Sequence, residues 1–129
     1  MHIDTEILRD GFSKYHLIGF PFPVALHHIT ELDHPDLIHN HPTHAWSYIF
    51  HGWYIERIYT INDDGTYTYE DVKREQGTSH YIAATHAHQI IEVSSGGVYT
   101  LTTPSEIVNN WGFYKKNDEG KLYFEEFKP

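Results

Sequence analysis

Residues 37–56 read LIHNHPTHAWSYIFHGWYIE, and residues 77–88 read GTSHYIAATHAH. In the first stretch a single residue separates His39 from His41 inside an extended, apolar-flanked run. Side chains alternate between the two faces of a strand, so a strand here points both imidazoles to one side. Such a pair can chelate. The second stretch offers His80, His86 and His88 close to another strand-like run, and one of these rings meets the pair if the two strands lie side by side. Three neutral imidazoles on stiff backbone make a site for a divalent transition metal, with coordination positions left open for substrate.

The 129 residues suit one domain with a core of its own, and a 40% hydrophobic content is ordinary for a globular chain. Nine Lys and Arg against 18 Asp and Glu give a net charge of -9. Nucleic acid and anionic membranes are met by clustered cations, so neither is an expected partner. Lys115 and Lys116 are adjacent but lie between acidic segments and read as a solvated turn. There is no cysteine, which excludes disulfides, thiolate metal sites and a cysteine nucleophile. Imidazole and carboxylate are the ligands that remain. The opening MHIDTEILRDGF lacks a basic region followed by an apolar core, and no run approaches the roughly 18 apolar residues of a membrane span. The expectation is a soluble, cytoplasmic protein acting on a small molecule. No serine nucleophile elbow and no glycine-rich phosphate loop is present.

Residues 1–23 read as a lead, with YHLIGF at 15–20 forming an opening strand or short helix that Pro21 and Pro23 stop. Residues 24–31, VALHHITE, form a strand in which the adjacent His27 and His28 face opposite sides and cannot share a metal. A turn, DHPD at 33–36, leads into the first histidine strand, and Pro42 and Thr43 turn the chain again. Residues 46–50 and 53–61 form a hairpin about Gly52, with Tyr54, Glu56 and Ile58 on one face of its second strand. Asp63-Asp64-Gly65 marks a further hairpin, and residues 89–93 and 98–103 are extended. A last hairpin turns at 117–120. About nine to eleven short strands without a long helix point to an all-β sandwich or closed barrel.

The two histidine stretches resemble the paired motifs of the cupin superfamily. His39, His41 and Gly52 fall on the first motif, with Asp33 where it has a glycine and Ala45 where it has a glutamate. Gly77 and His88 fall on the second, with Ala83, Thr85 and Glu92 where it has proline, glycine and asparagine. The chain also resembles a group of small cupin-like proteins of bacteria and phages that carry an HxHP segment and end in a WGFY stretch. The matching residues are His39-Asn40-His41-Pro42, Ser47, Gly52, Tyr54 and Glu56, then Trp111-Gly112-Phe113-Tyr114.

This resemblance implies a single domain with the cupin-type jelly-roll β-barrel, the double-stranded β-helix, over residues 24–127. It implies His39, His41 and His88 as metal ligands, with the usual glutamate missing. The site is then either a bare three-histidine face, like those of thiol and β-diketone dioxygenases, or one completed by Glu56 or, second, by His44. Fe(II) is favoured; Mn, Ni, Co or Zn fits the same nitrogens. The implied activity is that of a non-haem Fe(II) dioxygenase acting on a small organic acid, thiol or diketone-like substrate. Tyr54, Glu56 and Tyr81 are the catalytic candidates, and Ser47, Tyr54 and Tyr81 are candidates to fix ring tautomers. Two alternatives stay open: an isomerase, epimerase or lyase acting on a sugar or keto acid, and a non-catalytic binding module. His80 and His86 read as supporting or surface residues, and His2, His16, His34 and His51 as solvated side chains. Cupins commonly pair through a β-face, so a homodimer is implied, although nothing in the sequence locates that face. Trp46, Trp53, Tyr54 and Trp111 read as core or interface residues.

Overall fold

A computed structural model describes residues 2–9, 11–18, 21–31 and 37–128. The turn expected at 33–36, with Asp33 and His34, lies outside the described residues, as does the side chain of His2. Twelve strands run through the described chain: β1 (His2–Arg9), β2 (Phe12–Ile18), β3 (Val24–Ile29), β4 (Ile38–His39), β5 (Thr43–His51) and β6 (Tyr54–Ile61), then β7 (Tyr67–Arg74), β8 (Ser79–Ile82), β9 (Ala87–Val93), β10 (Val98–Ile107), β11 (Gly112–Lys116) and β12 (Leu122–Glu126). No described helix is long and apolar enough to cross a membrane.

The strands form two six-stranded sheets in the orders β1-β2-β3-β10-β5-β8 and β12-β11-β4-β9-β6-β7. All pairings are antiparallel, and strands distant in sequence meet within each sheet, β10 between β3 and β5 and β9 between β4 and β6. This is the jelly-roll architecture, in which two sheets face each other around one interior.

Ile29, Ile49, Tyr54, Ile90 and Val98 fill that interior, with Phe12 and Val93 packed against them. A second cluster of Ile38, Ala87 and Leu122 packs with Tyr59, Tyr67 and Tyr114. Both clusters draw on β9, because alternate residues of a strand serve opposite faces. Ile90 joins the first cluster and Ala87 the second. The expected alternation of β6 holds in the same way: Tyr54 and Glu56 are both buried.

Three boundaries differ from the sequence reading. Within residues 1–23 lies the hairpin β1-β2, which extends the first sheet beside β3. β5 begins at Thr43, where a turn was expected, because Thr43 pairs with Ile107 across a bulge. β10 continues through Pro104, which pairs with Ala45 immediately before that irregularity, a position where the missing N–H breaks no regular ladder. Gly52 turns the chain as expected, with a φ of +79° and a Cβ there 2.5 Å from the Gly97 carbonyl oxygen. The hairpin expected of residues 46–50 and 53–61 does not form, however. β5 pairs with β10 and β8 in the first sheet, and β6 with β7 and β9 in the second, so the turn carries the chain from one sheet to the other.

Candidate metal centre

β4 ends at His39, so the ladder itself does not carry His41. Other forces hold the segment. Asn40 exchanges hydrogen bonds with Gly112, its N–H donating to the Gly112 carbonyl at 3.2 Å and its Oδ1 accepting the Gly112 N–H at 2.8 Å. The His41 N–H donates to the Ala84 carbonyl at 3.0 Å, and the His41 carbonyl accepts from Asn109 Nδ2 at 3.0 Å. Pro42 adds a local constraint, since the residue before a proline is driven to extended backbone. The same-face placement expected of a strand therefore survives where the strand has ended, and the two ring centroids lie 5.3 Å apart.

His88 arrives from β9, paired directly with His39. Its ring lies 4.8 Å from that of His39 and 4.7 Å from that of His41. One nitrogen from each of the three rings falls within 4.8 Å of the others. The His41 and His88 Nε2 atoms are 3.0 Å apart. Two nitrogens each bound at about 2.1 Å to a shared ion are separated by about 3.0 Å at right angles and about 3.4 Å in a tetrahedron.

Tautomers favour the same use. His88 Nδ1 lies 2.9 Å from Glu56 Oε2, so its proton sits on Nδ1 and Nε2 presents a lone pair. His39 Nδ1 donates to the Leu37 carbonyl at 3.1 Å, which makes Nε2 its acceptor nitrogen too. His41 is kept neutral, its pKa lowered to about 2 by burial first and then by the neighbouring histidines. The donor set is thus convergent and oriented, and it fits a divalent transition metal.

Glu56 occupies the opposite side of His88. The residue is wholly inaccessible, at 0% exposure. Its Oε1 accepts from Arg74 at 2.8 Å and lies 3.2 Å from His86 Nε2. Burial alone would push the carboxyl pKa up; hydrogen bonds from His86, His88 and Arg74 outweigh it and hold Glu56 well below the usual range. Glu56, His86 and His88 form a second group with metal-binding spacing. The Arg74 guanidinium already supplies a cation to that carboxylate, so the arrangement is that of a buried anchor for His88.

The other sequence candidates separate by face. Tyr54 is buried, its Oη 3.2 Å from His80 Nε2. Burial first, and then the charge of Glu56, raise the phenol far above its ordinary pKa. Tyr54 is therefore the donor, and His80 is the neutral acceptor, its pKa lowered to about 4 by burial and then by Arg74. Ser47 is buried. Tyr81 is 48% exposed and packs against Trp46 and His44, away from the three converging rings. His44 Nδ1 accepts the Ala84 N–H at 2.8 Å and so helps shape the loop that holds His41. Arg74 was not singled out from the sequence, although the β6-β7 register that puts it opposite Tyr54 follows from the hairpin at Asp63-Asp64-Gly65. His86 was read as a supporting or surface residue, and its ring lies 4.8 Å from that of His88.

A closed jelly roll with this interior is a cupin-type fold. Solved structures with the same fold include the hydroxypropylphosphonic acid epoxidase from S. wedmorenis, at TM-score 0.59 and 9% identity over 80% of this chain and 55% of that one. The capsular polysaccharide assembling protein CapF from Staphylococcus aureus matches at TM-score 0.60 and 14% identity over 98% of this chain and 32% of that one. A mutant of Bacillus subtilis oxalate decarboxylase matches at TM-score 0.52 and 15% identity, over 81% of this chain and 27% of that one. The chain thus spans between about a quarter and just over half of these proteins' lengths. No family model matches the sequence, and no curated protein does.

Proposed function

We propose that the chain is a metal-dependent cupin enzyme in which His39, His41 and His88 hold one divalent transition metal, Fe(II) in the favoured case, and that it dioxygenates a small organic acid, thiol or diketone-like substrate. The observation that carries this reading is the convergence of three imidazoles whose only neighbouring carboxylate, among the described residues, lies on the far nitrogen of His88. An iron so bound supplies redox chemistry and open positions for a chelating substrate and dioxygen. The chain's own part is positional. Glu56 fixes the His88 tautomer, the Leu37 carbonyl fixes that of His39, and burial keeps His41 unprotonated, without spending a carboxylate on the metal. A site of neutral ligands retains the full charge of the ion and favours an anionic substrate. Iron is also the metal in a structural neighbour, the FeII form of HppE, at TM-score 0.55.

A second reading has its own observation. Tyr54 and His80 form a hydrogen-bonded phenol-imidazole pair inside the barrel, suited to proton transfer on a sugar or keto acid. Elemental analysis of untagged protein, beside His39→Ala, His41→Ala and His88→Ala, tests the metal site. The expected result is close to one transition metal per chain, lost in each variant; unchanged metal in all three refutes the site. An oxygen-electrode screen of the iron-loaded protein with small thiols and diketones tests the reaction, and turnover that survives metal removal would move the assignment to the Tyr54-His80 pair.

A further inference from the structure

Beside Tyr54, two buried nitrogens meet no hydrogen-bond partner among the described residues: Nε of Arg74 and Nδ1 of His80. Both are donors. A guanidinium nitrogen accepts nothing, and His80 accepts the Tyr54 hydroxyl at Nε2, 3.2 Å away, which leaves its own proton on Nδ1. Tyr54 links the two, paired with Arg74 across β6 and β7 and reaching His80 through its hydroxyl. Arg74 closes β7 and His80 lies in β8, the edge strands of the second and first sheets, so the donors stand on either side of the connection between the sheets. Of all charged groups, Arg74 acts most strongly on His80. Buried donors are almost always bonded, and one left unmade costs free energy. The protein has no carboxylate to spare for them. Glu56 is the only one buried among the described residues, and Arg74 Nη2, His86 and His88 already engage it.

We infer that Arg74 Nε–H and His80 Nδ1–H form a subsite for a carboxylate of the substrate, and that this substrate is a short acid with a second oxygen, hydroxyl or oxo, close to that carboxylate. Two donors that lack an acceptor call for a group with two accepting oxygens, and one of the donors belongs to a cation. The second oxygen follows from the wall next to His80. In register, His80 pairs with Ser47 and Ser47 with Thr102, so the three side chains share the inward face, and both hydroxyl residues are buried. Neighbouring strands lie about 4.8 Å apart, so an acid of a few carbons held at His80 comes within reach of the Ser47 hydroxyl. An apolar tail in that place would desolvate the hydroxyls without answering them. The inference rests on the proposed enzyme for the reaction and narrows its substrate: a thiol or diketone without an acid group leaves both donors unmet.

Calorimetric titration of the metal-free protein with L-lactate, propanoate and propane-1,2-diol tests the subsite in the parent, Arg74→Lys and His80→Phe, with folding checked by circular dichroism. Arg74→Lys keeps a cation for Glu56 but has no Nε–H, and His80→Phe keeps a ring without a donor. L-lactate is expected to bind the parent at one site per chain, propanoate at least about threefold more weakly, and the diol without saturation. Each variant should weaken L-lactate at least about tenfold, the effect of one hydrogen bond to a charged group. In proton NMR the His80 Nδ1–H signal, assigned by its loss in His80→Phe, should move downfield as L-lactate is added; a donor that serves only the fold would not respond. Absence of saturable L-lactate binding overturns the inference, as does diol binding that equals it or an Nδ1–H signal that stays fixed. So does a folded variant that binds like the parent, or propanoate that matches L-lactate. If one variant does not fold, the other and the parent's Nδ1–H signal still decide. All of these readouts are taken without metal, so the carboxylate subsite and the metal site fail or stand separately.

Discussion

Replacing Glu56 with Gln keeps the volume of the side chain and removes its charge. In the parent protein three donors converge on this carboxylate: Arg74 at 2.8 Å, His86 at 3.2 Å and His88 at 2.9 Å. The amide can accept at one atom only, and its other atom faces donors with a donor of its own. Removing one partner of a buried ion pair costs about 3–5 kcal/mol. The Arg74 side chain keeps 20% of its surface in solvent, which partly screens the stranded guanidinium and brings the expected loss to about 2–3 kcal/mol. Urea denaturation of the metal-free protein measures it. Glu56→Gln with Arg74→Met should recover part of the loss, because both charges then leave together. For the metal, loosening the anchor on His88 Nδ1 should weaken binding about 10–100-fold while keeping one ion per chain at saturation. A Glu56→Gln protein with the parent's urea midpoint and metal affinity would refute the anchoring role. Total loss of binding at saturation would instead make Glu56 a direct ligand.

Acid should destabilise the metal-free protein through His80. Its pKa is about 4 when folded and 6.5 when unfolded, so between these values the unfolded chain binds the extra proton and stability falls as pH falls. After discounting for its partial exposure, the loss from pH 7 to pH 4 attributable to His80 is about 1–2 kcal/mol. His80→Gln should flatten that part of the slope in urea midpoints, and an unchanged slope would count against the assignment. Gly52→Ala places a methyl at a φ of +79° and 2.5 Å from the Gly97 carbonyl. It should cost at least about 2 kcal/mol in the same assay, since backbone rather than a flexible side chain must yield.

How much of this was legible beforehand differs by residue. Period-two patterning was enough for β6, because Tyr54 and Glu56 alternate with partly exposed neighbours along a regular ladder. It also placed His39 beside His41, though the reason it succeeded is not the one the pattern supplies: His41 stands outside any strand and is held by Ala84 and Asn109, residues distant in sequence. The hairpin spacing places Arg74 opposite Tyr54, but that Arg74 and His86 both meet Glu56 could not be read from it, since that requires β6, β7 and β9 to pair in register around Glu56. Tyr81 shows the converse limit. It is adjacent in sequence to His80, and that adjacency on β8 is what sends its ring to the opposite face.

The same alternation also explains why one thin strand pair can serve two surfaces. On β8, His80 reaches inward to Tyr54 while Tyr81 lies outward against Trp46; on β5, Ser47 is buried between the exposed Trp46 and Tyr48. β8 is an edge strand of four residues whose only ladder partner among the described residues is β5. Edge strands gain little from the ladder and depend on what covers them. The packing of Tyr81 on Trp46 therefore steadies the strand that carries His80 and leads into Ala84, whose carbonyl holds the His41 backbone. The outer aromatic contact and the histidine interior are joined through that strand, so loosening the first should be felt as mobility in the second.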